Sequence, residues 1–225
     1  EDVAAIFVEV IQGEGGYVVP PKEFHKALYQ LTRDFDILYV ADEVQSGMGR
    51  TGKMFASNHF DLVPDIITVA KGIASGLPLS ATVASEKIMN WTPGSHASTF
   101  GGNPVSCQAA LTTIKLLEDG LIDNAAKQGT YIIHELQKLE RTYPIIGEVR
   151  GLGLMLAIEI VKDKETKEYA SEERDSIIQK AFSKGLLLLS CGRSAIRFCP
   201  PLILSKDDSD IALLILEECI KETLN

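Results

Sequence analysis

The sequence predicts an α/β protein: a mostly parallel sheet followed by a smaller α+β region. Three features predict it. Apolar runs of strand length recur through the first half, separated by helical or loop segments. Those runs are continuous rather than alternating, as in strands covered on both faces. Beyond about residue 125 the pattern changes, with glycine-interrupted strands, a charged stretch and a long terminal helix.

Val3 to Val10 is a continuous apolar run and reads as a strand buried on both faces. Pro20-Pro21 stands where a helix should start, and Phe24, Ala27, Leu28, Leu31 and Phe35 form an apolar stripe on a helix over 21–34. Strands follow near 36–42, 65–70 and 79–84. Asn103-Pro104 opens a helix to about Glu118, with asparagine as cap and proline in the first turn. Asp119-Gly120 breaks it, and a second helix covers about 121–141. Glu148 to Val161 reads as one strand with glycines at 151 and 153. Lys162 to Arg174 reads as a solvated loop leading into a helix. Strands near 186–190 and 195–199 precede a helix over 206–223, with Ile211, Leu214, Ile215 and Cys219 on one face. The domains expected are 1–124, carrying the parallel sheet, and 125–225, a small α+β domain.

The chain has 225 residues, 45% hydrophobic and 24% charged, with a net charge of −9. Such an acidic balance argues against nucleic acid and anionic membrane as main partners. No apolar run is long enough to span a bilayer. The four cysteines form no CxxC pair and the histidines show no metal-ligand spacing, so no metal is expected and the thiols read as buried or idle in a reducing cytoplasm. The chain opens at Glu1-Asp2 and enters a strand at once, which suggests a piece of a longer protein.

Two strands end in charged residues of opposite sign. Asp36-Ile37-Leu38-Tyr39-Val40-Ala41 leads to Asp42, and Asp65-Ile66-Ile67-Thr68-Val69-Ala70 leads to Lys71. Ligands of parallel sheets sit beyond the carboxyl ends of the strands. An acid and an amine there suit pyridoxal phosphate, which takes a lysine as a Schiff base and an acid on its ring nitrogen. Gly72 and Gly76 leave room beside Lys71. Thr99 precedes a helix N-terminus, which suits a phosphate. Arg197 stands in an apolar setting and needs an acidic partner or an anionic ligand. Gly47-Met48-Gly49-Arg50-Thr51-Gly52 fits the GxGxxG pattern, but its strand ends early at Asp42 and no helix pattern follows. It reads as a flexible surface or interface loop, not a dinucleotide site.

The run from Asp42 to Gly52 strongly resembles the class III pyridoxal-phosphate aminotransferases, which include the 4-aminobutyrate, ornithine and acetylornithine enzymes. Glu9 to Gly16, Ala70-Lys71-Gly72, Ser98 to Pro104 and Arg197 to Leu202 resemble further motifs of the family, in the right order. Val10 stands where the family has proline. The resemblance covers essentially all of the chain and about the C-terminal half of the family's chain; the family's Gly-Ser/Thr phosphate loop and ring-stacking aromatic have no counterpart here. It implies part of the large parallel-sheet domain of the fold type I pyridoxal-phosphate transferases, followed by the small C-terminal domain. Lys71 would anchor the cofactor as a Schiff base and move protons, Asp42 would bind the ring nitrogen, Val44 would pack on the ring, and Gln45 would bond the ring's 3-oxygen. Thr99 would reach the phosphate of a partner subunit's cofactor, which implies a homodimer; the idle thiols accord with a cytoplasmic one. Arg197 would hold a substrate carboxylate and Glu14 would pair with it otherwise. The reaction implied moves an amino group from an ω-amino acid such as 4-aminobutyrate, or a related amine, to a 2-oxo acid. A racemase, aminomutase or decarboxylase on the same scaffold, and a truncated non-catalytic product, are the alternatives.

Overall fold

The computed structural model describes residues 2–224, which form two sheets. The first comprises β1 (Ala5–Glu9), β2 (Leu38–Asp42), β3 (Ile66–Val69) and β4 (Ala81–Ala84), in that spatial order. β1, β2 and β3 are parallel, and β4 closes the edge antiparallel to β3. Tyr39, Val40 and Ala41 of the central β2 are buried, as a strand between two neighbours demands. β1 departs from its expectation. It is an edge strand, and Phe7 is 74% exposed, so the run is not covered on both faces.

Helix α1 (Lys22–Asp34) begins just after Pro21 and crosses from β1 to β2. Its buried residues are His25 and Thr32, with Leu28 and Tyr29 packed against the core. Of the apolar stripe read from the sequence, Leu28 packs inward, whereas Phe24, Ala27, Leu31 and Phe35 are exposed. The inward face is tolerable because its polar groups are paired. His25 lies 2.8 Å from both the Tyr39 hydroxyl and the Val10 carbonyl, and the Thr32 hydroxyl donates to the Tyr29 carbonyl at 2.7 Å.

Helix α2 (Pro104–Leu116) starts as expected, with the Asn103 side chain accepting from the Ser106 N–H at 2.9 Å. The break at Asp119-Gly120 is a π turn over 117–121, with Gly120 at φ 131°, and α3 (Ile122–Thr142) continues from it.

The second sheet holds β5 (Ile146–Leu152), β6 (Met155–Asp163), β7 (Glu168–Tyr169), β8 (Leu189–Cys191) and β9 (Ala195–Phe198). Its order is β5-β6-β9-β8, with β7 on β6, and every pairing is antiparallel. The single strand expected over 148–161 is therefore two, folded back through Gly153-Leu154. A two-residue hairpin loop needs positive φ, and Gly153 supplies 54°. α3, α4 (Ser171–Ser183) and α5 (Lys206–Leu224) build the core of this sheet with Leu136, Ile146, Leu156, Ile158, Ile160, Ile177, Ile196 and Leu216. On α5 the inward residues are Ser209, Leu216, Cys219 and Ile220, with Ile215 packed against them; the expected stripe holds at Ile215 and Cys219, whereas Ile211 and Leu214 are exposed.

The two sheets share a core. Val10, Ile11, Tyr17 and Tyr39 from the first region pack with Met155, Ala157, Cys191 and Ala195 from the second. The loop over 47–52 lies at this junction and is not a flexible surface loop. Gly47, Met48, Gly49 and Thr51 are buried. A Cβ at Gly153 would lie 2.2 Å from the Thr51 carbonyl carbon, and one at Gly52 would lie 2.9 Å from the Ala126 Cα. Backbone meets backbone there, which only glycine permits.

Candidate active site

Parallel pairing sets the site's geometry. Glu9 of β1, Asp42 of β2 and Thr68 of β3 stand in register, and Lys71 follows three residues past Thr68. The acid and the amine therefore leave neighbouring strands at the same carboxyl edge, as the sequence predicts. The Asp42 carboxylate accepts from the Val44 N–H at 2.9 Å, which fixes its direction. Lys71 is exposed and takes the left-handed conformation, φ 45°, at the start of a short 3-10 turn over 71–74. Backbone strain of this kind in a non-glycine residue clusters at functional sites.

Glu43 faces the opposite way from the site. It is buried and fully paired, accepting from the Ser46 hydroxyl at 2.6 Å, the Ala56 N–H at 2.9 Å and the Ser57 N–H at 2.8 Å. Two adjacent acids thus divide into one at the sheet edge and one that holds the turn after it.

Lys71, Val44 and Gln45 line one cavity of about 460 Å3, together with Arg50, Cys199 and Leu202. The Gln45 amide donates to Glu14 at 3.4 Å. Glu14 in turn is ion-paired with Arg197, which lowers the Glu14 pKa below the ordinary carboxylate value; the Gln45 amide and the Lys71 charge act in the same direction. The Arg197 guanidinium also lies 6.0 Å from the centre of the Tyr17 ring. Lys71, Gln45, Glu14 and Arg197 are therefore brought together from four separate segments.

Glu14 sits on the tight turn between Gln12 and Val18, and the second sheet grips that turn. Arg150 donates to the Gly16 carbonyl at 2.7 and 2.9 Å, and the Gly192 N–H donates to the Glu14 carbonyl at 2.8 Å. Tyr17, absent from the sequence-derived set, is buried beneath Arg197, and burial pushes its hydroxyl pKa up. Only its place beside the glycine turn could have marked it. Arg50 and Cys199 were also missed, because the chain brings them to the cavity only through tertiary contacts.

Thr99 does not join this group. It is exposed, on the long connection between β4 and α2, and among the described residues it makes no hydrogen bond. Nearby, the Ser98 hydroxyl accepts from the Gly101 N–H at 3.1 Å. Among the described residues no cluster of three or more His, Cys, Asp or Glu side chains could hold a metal ion, and no helix is long and apolar enough to cross a membrane.

The donor set fits pyridoxal phosphate. A primary amine stands over an open cavity, a carboxylate leaves the neighbouring strand, and the buried Gln45 Oε1 and Arg197 Nε have no partner among the described residues. Buried polar atoms without partners are rare and mark places where a ligand completes the bonding.

A largely parallel sheet with an acid and a lysine on one edge, joined to an antiparallel sheet, is the fold of the pyridoxal-phosphate transaminases. The chain belongs to the class III aminotransferases, whose family model matches residues 1–220. It is 44% identical to a leucine/methionine racemase of Thermococcus litoralis, over 99% of this chain and 51% of that protein. It is 40% identical to an acetylornithine aminotransferase of Caldanaerobacter subterraneus, over 99% and 54%. An aminotransferase structure from Bacillus anthracis superposes with a TM-score of 0.92 at 33% identity, covering 97% of this chain and 52% of the other. The chain spans about half the length of the curated relatives it matches. Family membership implies pyridoxal phosphate as cofactor.

Proposed function

We propose that this chain carries the lysine-bearing part of an aminotransferase site that moves an amino group from an ω-amino acid such as 4-aminobutyrate, or a related amine, to a 2-oxo acid. The observation that carries the reading is the delivery of Asp42 and Lys71 to one sheet edge, beside a cavity that Gln45 also lines. Pyridoxal phosphate, when bound, would supply an electron sink for the substrate carbon that carries the amino group.

Each residue has a separate task. The Lys71 amine anchors the cofactor and moves the proton at the substrate carbon that carries the amino group. Asp42, oriented by the Val44 N–H, holds the proton on the ring nitrogen. Val44 packs on the ring, and the Gln45 amide bonds the ring's 3-oxygen. Arg197 binds a substrate carboxylate through its two-pronged guanidinium. Glu14 takes that place when no carboxylate is present; as an exposed side chain it can swing away at little cost. Thr99 serves the cofactor of a second subunit in a homodimer, which accords with its exposure and its absence from the lining of the Lys71 cavity. We place the protein in the cytoplasm and divide it into a cofactor domain, 1–124, and a small domain, 125–225.

The test is cofactor fixation. The chain is incubated with pyridoxal phosphate, reduced with borohydride and digested, and the labelled peptide is weighed. Label on Lys71, lost in Lys71→Ala, supports the reading; label elsewhere, or none, sinks it.

Racemisation is the second reading, favoured by the likeness to the leucine/methionine racemase and, at 44% identity, to an alanine/serine racemase of Pyrococcus horikoshii. Supplying 4-aminobutyrate and, separately, an L-amino acid, each with 2-oxoglutarate, separates the two. Glutamate formation from 4-aminobutyrate marks transfer, and appearance of the D-isomer without glutamate marks racemisation.

A further inference from the structure

Arg50 is used by none of the roles above, yet it is half-buried at the junction of the two sheets and lines the same cavity as Lys71. One guanidinium nitrogen, Nη1, donates to two carbonyls, that of Pro200 at 2.5 Å and that of Leu154 at 3.3 Å. The Leu154 N–H returns a bond to the Arg50 carbonyl at 2.9 Å. Arg50 therefore joins three pieces of chain: its own loop, five residues past Gln45; the β5–β6 hairpin turn; and the segment that leaves β9 just after Arg197.

That last segment is held on either side of Pro200: Arg197 is paired with Ala157 and Leu189, and further on the Asn124 amide donates to the Leu202 and Leu204 carbonyls at 2.7 and 3.1 Å while the Leu204 N–H donates to the Pro201 carbonyl at 3.0 Å. Phe198 ends β9, and Cys199, Pro200 and Pro201 follow outside any strand or helix. Prolines donate no N–H, so Pro200 and Pro201 cannot tie themselves to a neighbour through their own amides. The Pro200 carbonyl is the backbone handle by which the Arg50 guanidinium holds this stretch. A charged donor makes the stronger kind of hydrogen bond.

We infer that Arg50 is a positioning residue, which clips the Arg197–Pro201 segment to the loop that follows β2 and thereby fixes the Arg197 guanidinium relative to Lys71. The inference rests on the proposed role of Arg197 as the carboxylate site. Its consequence is specific: loss of the clip weakens recognition of carboxylates while the sheet edge carrying Asp42 and Lys71 stays in place.

Two measurements on the whole chain test it, with Arg50→Met, Arg50→Lys and Arg33→Met as variants. Arg33→Met removes the α1 pair with Asp65, remote from this junction, and controls for general loosening. Amide hydrogen exchange is followed over residues 195–204, and glutarate binding by calorimetry. In Arg50→Met, exchange across Cys199–Leu204 quickens about tenfold and glutarate binding weakens about tenfold, as expected for displacement of a binding group by a fraction of an ångström to an ångström. Arg50→Lys, which keeps a charged donor, recovers part of both, and Arg33→Met changes neither. Unchanged exchange in Arg50→Met overturns the clip whatever glutarate does. Faster exchange with undiminished glutarate affinity overturns its role in placing Arg197. Failure of the wild type to bind glutarate sinks the carboxylate reading of Arg197 itself, and the exchange result then decides the clip alone.

Discussion

Gly13 lacks a side chain because Gln45 occupies the space one would need. A Cβ there would lie 2.8 Å from Gln45 Nε2 and 2.9 Å from its Cδ. The obstacle is the end of a flexible side chain, so Gly13→Ala should change stability by less than about 0.5 kcal/mol. It should nevertheless push the Gln45 amide off its position and lower pyridoxal phosphate affinity about tenfold, the worth of roughly one hydrogen bond. Titration of cofactor into wild type and variant, beside urea unfolding of each, separates the two effects; equal cofactor affinity would remove Gln45 from the cofactor site. The contrast between Gly13 and Lys71 shows what the sequence makes legible. Lys71 and Asp42 announce themselves because each closes an apolar strand, and strand ends of a parallel sheet are binding places. Gly13, Tyr17 and Arg50 matter through partners 32, 180 and 150 positions away — Gln45, Arg197 and Pro200 — and no local pattern encodes such pairs.

At the scale of elements, periodicity located nearly every strand and helix but misjudged which faces are buried. The α1 stripe is apolar at helical spacing, yet the face that packs carries His25 and Thr32, because the Tyr39 hydroxyl, the Val10 carbonyl and the Tyr29 carbonyl are there to pair them. Glu148 to Val161 reads as one strand because a two-residue turn leaves so small a mark, its only signal being Gly153. That turn is also the point where the regions interlock. A Cβ at Gly129 on α3 would lie 2.0 Å from the Gly153 carbonyl oxygen, a backbone atom that cannot swing aside. Gly129→Ala should therefore cost about 2 kcal/mol, in the range of overpacked cores, and Gly153→Ala at least as much, since it adds a positive φ. Thermal unfolding checks both, and a loss below about 0.5 kcal/mol would show that the junction yields. Asn103→Ala should cost about 1 kcal/mol as a lost helix cap, with no effect on this interlock.

Across the whole molecule, stability between about pH 5 and the ordinary histidine value of 6.5 should be governed by two imidazoles. Burial lowers the pKa of His25, and burial likewise lowers that of His59. The Val10 carbonyl can only accept, so Nε2 of His25 carries the proton and Nδ1 accepts from the Tyr39 hydroxyl. A second proton would charge a ring that has no access to water. Below pH 6.5 the unfolded chain takes up protons that the folded chain refuses, so the unfolded state gains and stability falls with pH. Above 6.5 both states hold neutral rings and the contribution is fully present. The slope can reach about 1.4 kcal/mol per pH unit for each group. The carboxylates with lowered pKa, Glu14, Asp65, Glu135, Asp163, Asp210 and Glu217, start from 4.5 or 3.8, so they destabilise only in more acid solution and leave this window to the histidines. Urea unfolding at intervals from pH 8 to 5 should show a plateau above 6.5 and a decline beneath it. His25→Gln should start from lower stability, having lost the paired ring, and decline less steeply, with His59 supplying the remaining slope. A wild-type curve flat to pH 5, or an undiminished slope in the variant, would mean that the charged His25 ring is accommodated in the fold, and the burial argument for α1's polar face would fall with it.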